Sequence, residues 1–247
     1  MIELFHFVEP PRRCSYLPAR TASLEVRALK ALSAAEYADL LARGWRRFGW
    51  QLFRPACPKC SECRSVRVLT EQFSPAMAQR RVLRKNAGIR AELQPLFVAR
   101  ETIDLYNRYQ RFMHEHRGWE LQQATASSYH EMFVSGASEL GRQWLYFQGD
   151  KLVGVAMMDI TPQAVSLVYF FHDPAWRAQS PGIFSVLNQL LYAQSNGLRY
   201  AYLGYWIKDC QSMNYKNRFR PYEMLDDYVK EEDIPVWRLI STDDSYQ

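Results

Sequence analysis

The sequence predicts an α+β protein in which an antiparallel strand meander packs with helices, preceded by an N-terminal cysteine-bearing module. Three observations predict this class. Three short runs with strand character follow one another closely after residue 140, and Gly149-Asp150 joins the first two in a tight turn. Helix-start and helix-stop signals flank these runs. Upstream, Cys57, Cys60 and Cys63 form a C-x2-C-x2-C cluster.

The cysteine-bearing module is expected to span residues 1–72. Its first 32 residues contain several prolines and little periodicity, which predicts an irregular segment. Ser33-x-x-Glu36 is a capping box and predicts a helix over Ala34–Arg43. The strands predicted in this module flank the cysteine loop and lie at Phe48–Phe53 and Arg64–Leu69.

The body is expected to span residues 73–247. Ser74-Pro75 predicts the start of a helix that ends near Asn86. The remaining predicted elements are a strand at Ile89–Leu96, helices over Thr102–His116 and from Ser128 to Gly136, strands at Gln143–Phe147, Lys151–Ile160 and Ala164–His172, a helix over Ile183–Ser195 and a strand at Arg199–Tyr205. A meander followed by a loop, a helix and another strand is the element order of a GNAT-type acyltransferase core.

Charge is unevenly distributed along the chain. The net charge is +5, and the segment from Asp226 to Gln247 holds seven acidic residues against Lys230 and Arg238. The preceding part therefore carries +10, which indicates a polyanionic partner but is equally compatible with a basic soluble surface. No run approaches the roughly 18 apolar residues that span a bilayer, and the first residues do not resemble a signal peptide. We therefore expect a cytoplasmic protein without a membrane partner.

The five cysteines indicate metal binding rather than a disulfide scaffold, because their number is odd and three of them are tightly clustered. Thiolates two residues apart can bind one metal ion. The predicted ligands are Cys14, Cys57, Cys60 and Cys63. Their spacing is more typical of an iron–sulfur cluster than of a zinc ribbon, and both metals stay open.

Two further segments combine cations with a structure suited to binding. The helix after Ser74 carries Arg80, Arg81, Arg84 and Lys85, which suits phosphate contacts to a nucleic acid, although a solvated charged face has the same pattern. The segment after the last predicted strand interleaves aromatic residues with Lys216, Arg218 and Arg220. This pattern suits stacking on bases and pairing with phosphates or carboxylates.

Taken together, these segments resemble the bacterial branch of the arginyl-tRNA–protein transferase family. The resemblance covers nearly the whole chain in the expected order. The matching segments are CSYLPAR at Cys14–Arg20, GWRRFGWQLFRPACPKCSECRSVRV at Gly44–Val68, QRRVLRKN at Gln79–Asn86, YFFHDP at Tyr169–Pro174, FSVL at Phe184–Leu187 and YLGYWIKDCQSMNYKNRFRPYEML at Tyr202–Leu225. The chain departs from the family at Ala76-Met77-Ala78, where relatives usually carry a serine, and at Ser180-Pro181-Gly182, where they usually show Leu-Gly.

The resemblance implies transfer of leucine from a charged tRNA to proteins that begin with Asp or Glu, which marks them for degradation by the N-degron route. Aminolysis of an activated ester needs an oriented amine, a proton acceptor and stabilisation of an oxyanion, but no protein nucleophile. The candidate proton-handling residues are His172 and Asp209. The candidates for binding the acidic N-terminus or the tRNA 3′ end are Arg177, Tyr205, Lys216, Arg218 and Arg220.

The residues alone leave the donor open. A leucine pocket needs only apolar walls, for which Met157, Phe170 and Phe171 are candidates, whereas an arginine pocket needs a carboxylate. The carboxylates close to these residues in the sequence are Asp159, Asp173 and Glu223. Two rival functions also remain. One is an acetyl-CoA-dependent N-acyltransferase, disfavoured by the basic helix and by the loop Arg177–Gly182, whose one glycine is Gly182. The other is a noncatalytic nucleic-acid-binding module.

Overall fold

The computed structural model describes residues 1–136 and 139–240. The strands are β1 (Ile2–Val8), β2 (Arg12–Arg13), β3 (Thr21–Ala22), β4 (Leu24–Lys30), β5 (Arg46–Phe48), β6 (Gln51–Pro55), β7 (Arg64–Leu69), β8 (Ile89–Pro95), β9 (Gly141–Gln148), β10 (Lys151–Ile160), β11 (Ala164–His172), β12 (Tyr200–Trp206), β13 (Tyr222–Leu225) and β14 (Trp237–Ile240). The α-helices are α1 (Ala34–Ala42), α2 (Met77–Lys85), α3 (Arg100–Arg117), α4 (Ala126–Tyr129) and α5 (Pro181–Ser195).

A four-stranded antiparallel sheet in the order β1-β4-β6-β5 forms the N-terminal part of the described chain. The prediction that residues 1–32 are irregular is therefore wrong. The prolines fall in the connections between strands, where they do not interrupt the ladder. The strand predicted at Phe48–Phe53 is instead a hairpin that turns at Gly49, whose φ of +58° requires a residue without a Cβ.

The second sheet has eight strands in the order β14-β13-β7-β12-β11-β10-β9-β8. Strands β9, β10 and β11 form the predicted antiparallel meander, and α5 then leads to β12, which runs parallel to β11. This confirms the predicted α+β class and the GNAT-like element order. Strand β7, from the predicted cysteine-bearing module, lies between β12 and β13, and the division at residue 72 stays a prediction.

Helices cover both faces of the large sheet. Helices α3 and α4 pack on one face through Leu105, Tyr106 and Tyr129, whereas α5 packs on the other through Leu187 and Leu190. A third apolar cluster joins α1 to the small sheet. Within residues 1–136 and 139–240, no helix is long and apolar enough to cross a membrane.

The structure corrects three predicted helix starts. Helix α2 begins at Met77 rather than after Ser74, because the Gln79 side chain accepts the Ala76 N–H at 2.8 Å and so satisfies a free donor of the first turn. Helix α4 is capped by the Thr125 hydroxyl, which accepts the Ser128 N–H at 3.2 Å. Helix α5 begins at Pro181, which suits the first turn of a helix. The capping box that begins α1 is confirmed, with the two reciprocal bonds at 2.9 and 3.3 Å.

Candidate active site

The two parallel strands of the large sheet pair over only three residues and then separate. Strand β11 pairs with β12 from Ala164 to Ser166, and no ladder continues beyond Ser166 and Tyr202. At the point of separation, the guanidinium of Arg46 donates to the carbonyl oxygens of Leu167 and Tyr202. A buried cation from the small sheet therefore bridges the two strands where the gap between them begins.

A cavity of about 420 Å³ lies in this gap. Its walls come from β11, Leu203 of β12, one face of α5, the middle of the β12–β13 connection and three further aromatic residues. The lining residues are Tyr16, Tyr109, Trp119, Leu167, Val168, Tyr169, Phe170, Gly182, Ser185, Val186, Gln189, Leu203, Ser212, Met213, Tyr215 and Lys216. A largely apolar cavity of this size with a few convergent polar groups is typical of a small-molecule site. Of the predicted apolar walls, Phe170 lines the cavity, whereas Met157 and Phe171 are buried against α3.

Lys216 is the cation in this cavity wall. Its Nζ donates to the Tyr205 carbonyl oxygen at 2.7 Å, and the residue is 8 % exposed. Burial disfavours the charged ammonium, and the nearby Arg46 guanidinium adds repulsion, so the pKa of Lys216 falls to about 7. Gly204 adopts a φ of +83°, and a Cβ there would lie 3.5 Å from Lys216 Nζ. Lys216 and Arg46 therefore both lie close to Gly204, where the pairing of β12 with β7 is irregular.

The three carboxylates that were candidates for binding an arginine side chain are paired with cations away from the cavity. Asp159 is fully buried against Arg47, with the closest oxygen and nitrogen 2.6 Å apart. Asp173 pairs with Lys151 at 2.9 Å, and Glu223 pairs with Arg67 at 2.6 Å. Within the described ranges, no Asp or Glu lines the cavity.

The predicted proton-handling residues lie outside the cavity lining. The His172 ring nitrogen Nδ1 donates to the Asp173 carbonyl oxygen at 2.8 Å, and its ring stacks on Phe170 with 5.6 Å between centroids. Burial lowers the pKa of His172. Asp209 is exposed in the turn after β12. The assignment of His172 and Asp209 stays a prediction.

Of the predicted binding residues, Lys216 is the one that lines the cavity. Tyr205 is buried, and its hydroxyl donates to the carbonyl oxygens of Phe53 and Gly44, which ties β12 to the small sheet. Arg177 is exposed, with its guanidinium 5.4 Å from the centre of the Phe112 ring.

Arg218 is exposed, and Arg220 is half-buried and donates to the Ile240 carbonyl oxygen at 3.4 Å. The substrate contacts assigned to Arg177, Tyr205, Arg218 and Arg220 stay predictions.

Helix α2 presents the predicted cations on the surface. Arg80, Arg81, Arg84 and Lys85 are all exposed. The helix is fixed at both ends: the Gln79 amide donates to the Arg218 carbonyl oxygen at 2.9 Å, and Lys85 donates to the Ala178 carbonyl oxygen at 2.9 Å. The resulting basic surface consists of Arg80, Arg81, Arg84, Lys85, Arg177 and Arg218. Because α2 also packs on α5, this surface lies beside the helix that forms one wall of the cavity.

The four predicted metal ligands share one neighbourhood. Burial and the nearby thiols of Cys57, Cys14 and Cys60 raise the pKa of Cys63 to about 12, and Cys210 contributes in the same direction. Backbone N–H groups at Ser23 and Leu17 donate to the sulfurs of Cys57 and Cys14, both at 3.4 Å. The thiol donors suit zinc or an iron–sulfur cluster.

Across the described part of the chain, however, no group of three or more such side chains is placed to hold a metal ion. The ligand set of Cys14, Cys57, Cys60 and Cys63 and the identity of its metal stay predictions.

The element order and the cavity between diverging strands define a GNAT-like fold. Two family models match the sequence, described as arginine-tRNA-protein transferase, N terminus, over residues 12–81 and arginine-tRNA-protein transferase, C terminus, over residues 101–226. The chain belongs to the arginine-tRNA-protein transferase family and is an aminoacyltransferase, which confirms the resemblance stated from its motifs.

Curated relatives match over most of their length. An aspartate/glutamate leucyltransferase from Helicobacter hepaticus is 36% identical over 96% of this chain and 99% of the relative. A protein of the same name from Marinobacter nauticus is 36% identical over 97% and 98%. Among solved structures, FemX covers 74% of this chain and 63% of its own at 10% identity, with a TM-score of 0.44. A GNAT-family acetyltransferase from Staphylococcus aureus covers 62% of this chain and 100% of its own at 14% identity, with a TM-score of 0.38.

Proposed function

We propose that this protein transfers leucine from leucyl-tRNA to the N-terminal Asp or Glu of acceptor proteins and thereby marks them for degradation through the N-degron route. The name shared by the curated relatives supports this proposal. The structural observation that carries the choice of leucine is the absence of Asp and Glu from the cavity lining within the described ranges. Such a role belongs in the cytoplasm, where charged tRNA is available.

The pairing of nearby carboxylates strengthens the choice of leucine over arginine. A desolvated guanidinium is best stabilised by a carboxylate partner, since an uncompensated buried charge is strongly disfavoured. Asp159, Asp173 and Glu223 already hold cations of this chain. The walls around the cavity, including Tyr169, Phe170 and Val186, instead suit a branched apolar side chain.

Lys216 is suited to accept the proton that the reaction releases. The acceptor α-amine attacks the ester carbonyl carbon, a C–N bond forms, and the bond from that carbon to the tRNA ribose oxygen breaks. The attacking nitrogen loses a proton, which Lys216 Nζ can accept when neutral, as its lowered pKa allows near pH 7. The same proton then passes to the departing ribose oxygen. A leucyl-protein and a free tRNA hydroxyl result.

We propose that helix α2 holds the tRNA backbone while the 3′ end enters the cavity. We propose that Arg80, Arg81, Arg84 and Lys85 contact phosphates, because they are exposed on one short helix next to α5. A guanidinium is the natural partner of an acidic N-terminal side chain. We therefore propose that the side-chain carboxylate of the acceptor's N-terminal residue pairs with Arg218 and Arg220, which follow Lys216 in the sequence, or with Arg177, which precedes α5.

The cysteine cluster is proposed to hold zinc or an iron–sulfur cluster and to brace the connection between β6 and β7. Bound metal would fix Cys57, Cys60 and Cys63 to Cys14 and so hold the loop against the N-terminal sheet. Metal analysis and visible absorption of the purified protein distinguish the two metals. Retained fold and activity after complete metal removal would contradict the bracing role.

The deciding experiment measures transfer of labelled amino acid from Leu-tRNA and, separately, from Arg-tRNA. The acceptors are peptides that begin with Asp, Glu or Lys and are otherwise identical. Leucine transfer confined to the Asp and Glu peptides is expected. Arginine transfer to those peptides would keep the family and overturn the choice of donor. Absence of transfer from both tRNAs, together with coenzyme A binding, would favour an acyl-CoA donor instead.

A further inference from the structure

Gln189 is a buried polar residue of the cavity wall, and one atom of its side chain has no partner. The residue is 2 % exposed and lies on the face of α5 that lines the cavity. Its Nε2 donates to the Ser185 carbonyl oxygen and to Ser185 Oγ, both at 3.2 Å. Among the residues that the structure describes, no donor reaches its Oε1. Because only the amide nitrogen can donate to a backbone carbonyl, this contact fixes the orientation of the amide.

A buried acceptor without a donor points to a ligand that supplies one. Buried carbonyl oxygens are nearly always paired, since their desolvation is otherwise uncompensated. Gly182, at the half-buried start of α5, and Gln189 line the same cavity. They are separated by two helical turns, roughly 10 Å along the axis. Because Gln189 is the more buried of the two residues, we place it in the deeper part of the cavity, where the leading end of an entering ligand comes to rest.

We infer that Gln189 Oε1 accepts a hydrogen bond from the α-amino group of the leucyl residue on the donor tRNA. This inference rests on the proposed function. The α-amine lies on the carbon next to the reacting carbonyl, on the side away from the ribose, so it enters the cavity ahead of the tRNA. A neutral amide oxygen accepts from the α-amine in either of its charge states. The contact orients the ester carbonyl and selects donors that carry a free α-amine.

The acceptor amine is a less suitable partner for Gln189. It must approach the ester carbon after the donor is bound, when the deeper part of the cavity is already filled. Lys216, on the segment after β12, is available to that amine. The two polar groups, one on α5 and one on the segment after β12, therefore have separate roles. Lys216 accepts the proton of the attacking amine, and Gln189 holds the amine of the donor.

The test compares two donors that differ by the α-amine alone: leucyl-tRNA and isocaproyl-tRNA, which has the same carbon skeleton and ester. The wild-type enzyme is expected to show a kcat/KM about 10- to 100-fold higher with leucyl-tRNA, the loss expected for one hydrogen bond to an amine. In Gln189→Leu, this ratio is expected to fall towards one, because only the leucyl donor loses a contact. A structural defect would lower both rates and leave the ratio unchanged.

Gln194→Leu is the matched control. It places the same substitution on the same helix, where the Gln194 amide donates to the carbonyl oxygens of Thr70 and Phe73. It is expected to keep the wild-type ratio whatever its effect on stability. A wild-type ratio in Gln189→Leu, whatever its absolute rates, would overturn the inference alone. Absence of leucine transfer by the wild-type enzyme would overturn the proposed function and the inference with it.

Discussion

At the scale of single residues, the site depends on polar groups that are largely buried. Lys216 is a buried amine whose Nζ donates to the Tyr205 carbonyl oxygen, and Arg46 lies close enough to repel it. A cation in such a position destabilises the fold unless it loses its proton. The same environment that disfavours the ammonium produces a base that is partly neutral at physiological pH.

Lys216→Met is expected to lower kcat by about 10²- to 10⁴-fold, because the variant lacks the proton acceptor. In the wild-type enzyme, the Lys216 pKa of about 7 predicts that kcat rises with pH through this value. In the variant, this rise of kcat should be absent, and the remaining pH dependence should be that of the acceptor α-amine. Rates measured from pH 5.5 to 9 with leucyl-tRNA and an Asp peptide test both points.

His172→Gln and Asp209→Asn serve as comparisons, since neither residue lines the cavity. Both variants are expected to stay within about tenfold of the wild-type kcat, below the range typical of a lost general base. A large loss in either, with Lys216→Met still active, would move the proton-accepting role to that residue.

The same pKa shift makes a prediction about stability. Between about pH 7 and 10.5, the unfolded chain holds a proton on Lys216 that the folded protein does not. The free energy of unfolding of the wild-type protein minus that of Lys216→Met should therefore rise by about 1 kcal/mol per pH unit in this window. Urea unfolding of both proteins at pH 7, 8 and 9 measures the difference. All other ionisable groups are common to both proteins, so their contributions cancel to first order. A difference that is independent of pH contradicts the shift.

At the scale of elements, sequence patterns correctly predicted the helices and strands whose formation depends on residues close to one another in the sequence. The meander, α3 and the capping box at Ser33 depend on periodicity and turn chemistry within a few residues, and the structure confirms them. The edge strand β1 was missed because six of its seven residues are exposed, so burial does not impose a regular apolar alternation. The role of Arg46 also has no local signature, because it depends on two carbonyl groups more than a hundred residues away. Gln189 did have a signal, as a polar residue within the apolar stripe of a helix.

Helix α2 permits a matched test of the basic surface. Arg81→Gln combined with Arg84→Gln should raise the KM for leucyl-tRNA while kcat stays near the wild-type value, because in our proposal these cations bind phosphate and do not contact the ester. The slope of log affinity against log salt should become shallower by about 0.7–0.9 for each lost phosphate contact. The slope is measured by tRNA binding between 50 and 300 mM salt.

The control removes two exposed arginines from another helix, Arg100 and Arg111 of α3. Net charge changes equally in both double variants, so long-range attraction is matched. Equal slopes in the two variants would show that α2 contributes only to the overall charge and makes no direct contact.

At the scale of the whole molecule, the small sheet is connected to the large one through buried polar contacts. Arg47 of β5 donates two hydrogen bonds to Asp159 of β10, at 2.6 and 3.0 Å, and their side chains are 2 % and 0 % exposed. Strand β7 extends the connection, because it follows the cysteine loop in sequence and lies inside the large sheet. The positions of the cavity walls consequently depend on both sheets. Arg46 of the small sheet bridges β11 and β12 at the point where they separate and the cavity begins.

Asp159→Asn tests how strongly the two sheets depend on each other. The substitution leaves the buried Arg47 cation without its counter-charge, so the free energy of unfolding should fall by about 3–5 kcal/mol. Asp104→Asn is the control, because it removes a carboxylate from an exposed pair with Arg100, in which the side chains are 56 % and 96 % exposed, and should change stability by less than about 1 kcal/mol. Urea unfolding followed by tryptophan fluorescence and circular dichroism compares the variants.

Because Arg47 and β7 join the two sheets, one cooperative transition is expected in all three proteins. Two separate transitions, with Asp159→Asn shifting neither, would mean that residues 1–72 and the body fold independently and that the buried pair contributes little to holding the cavity together.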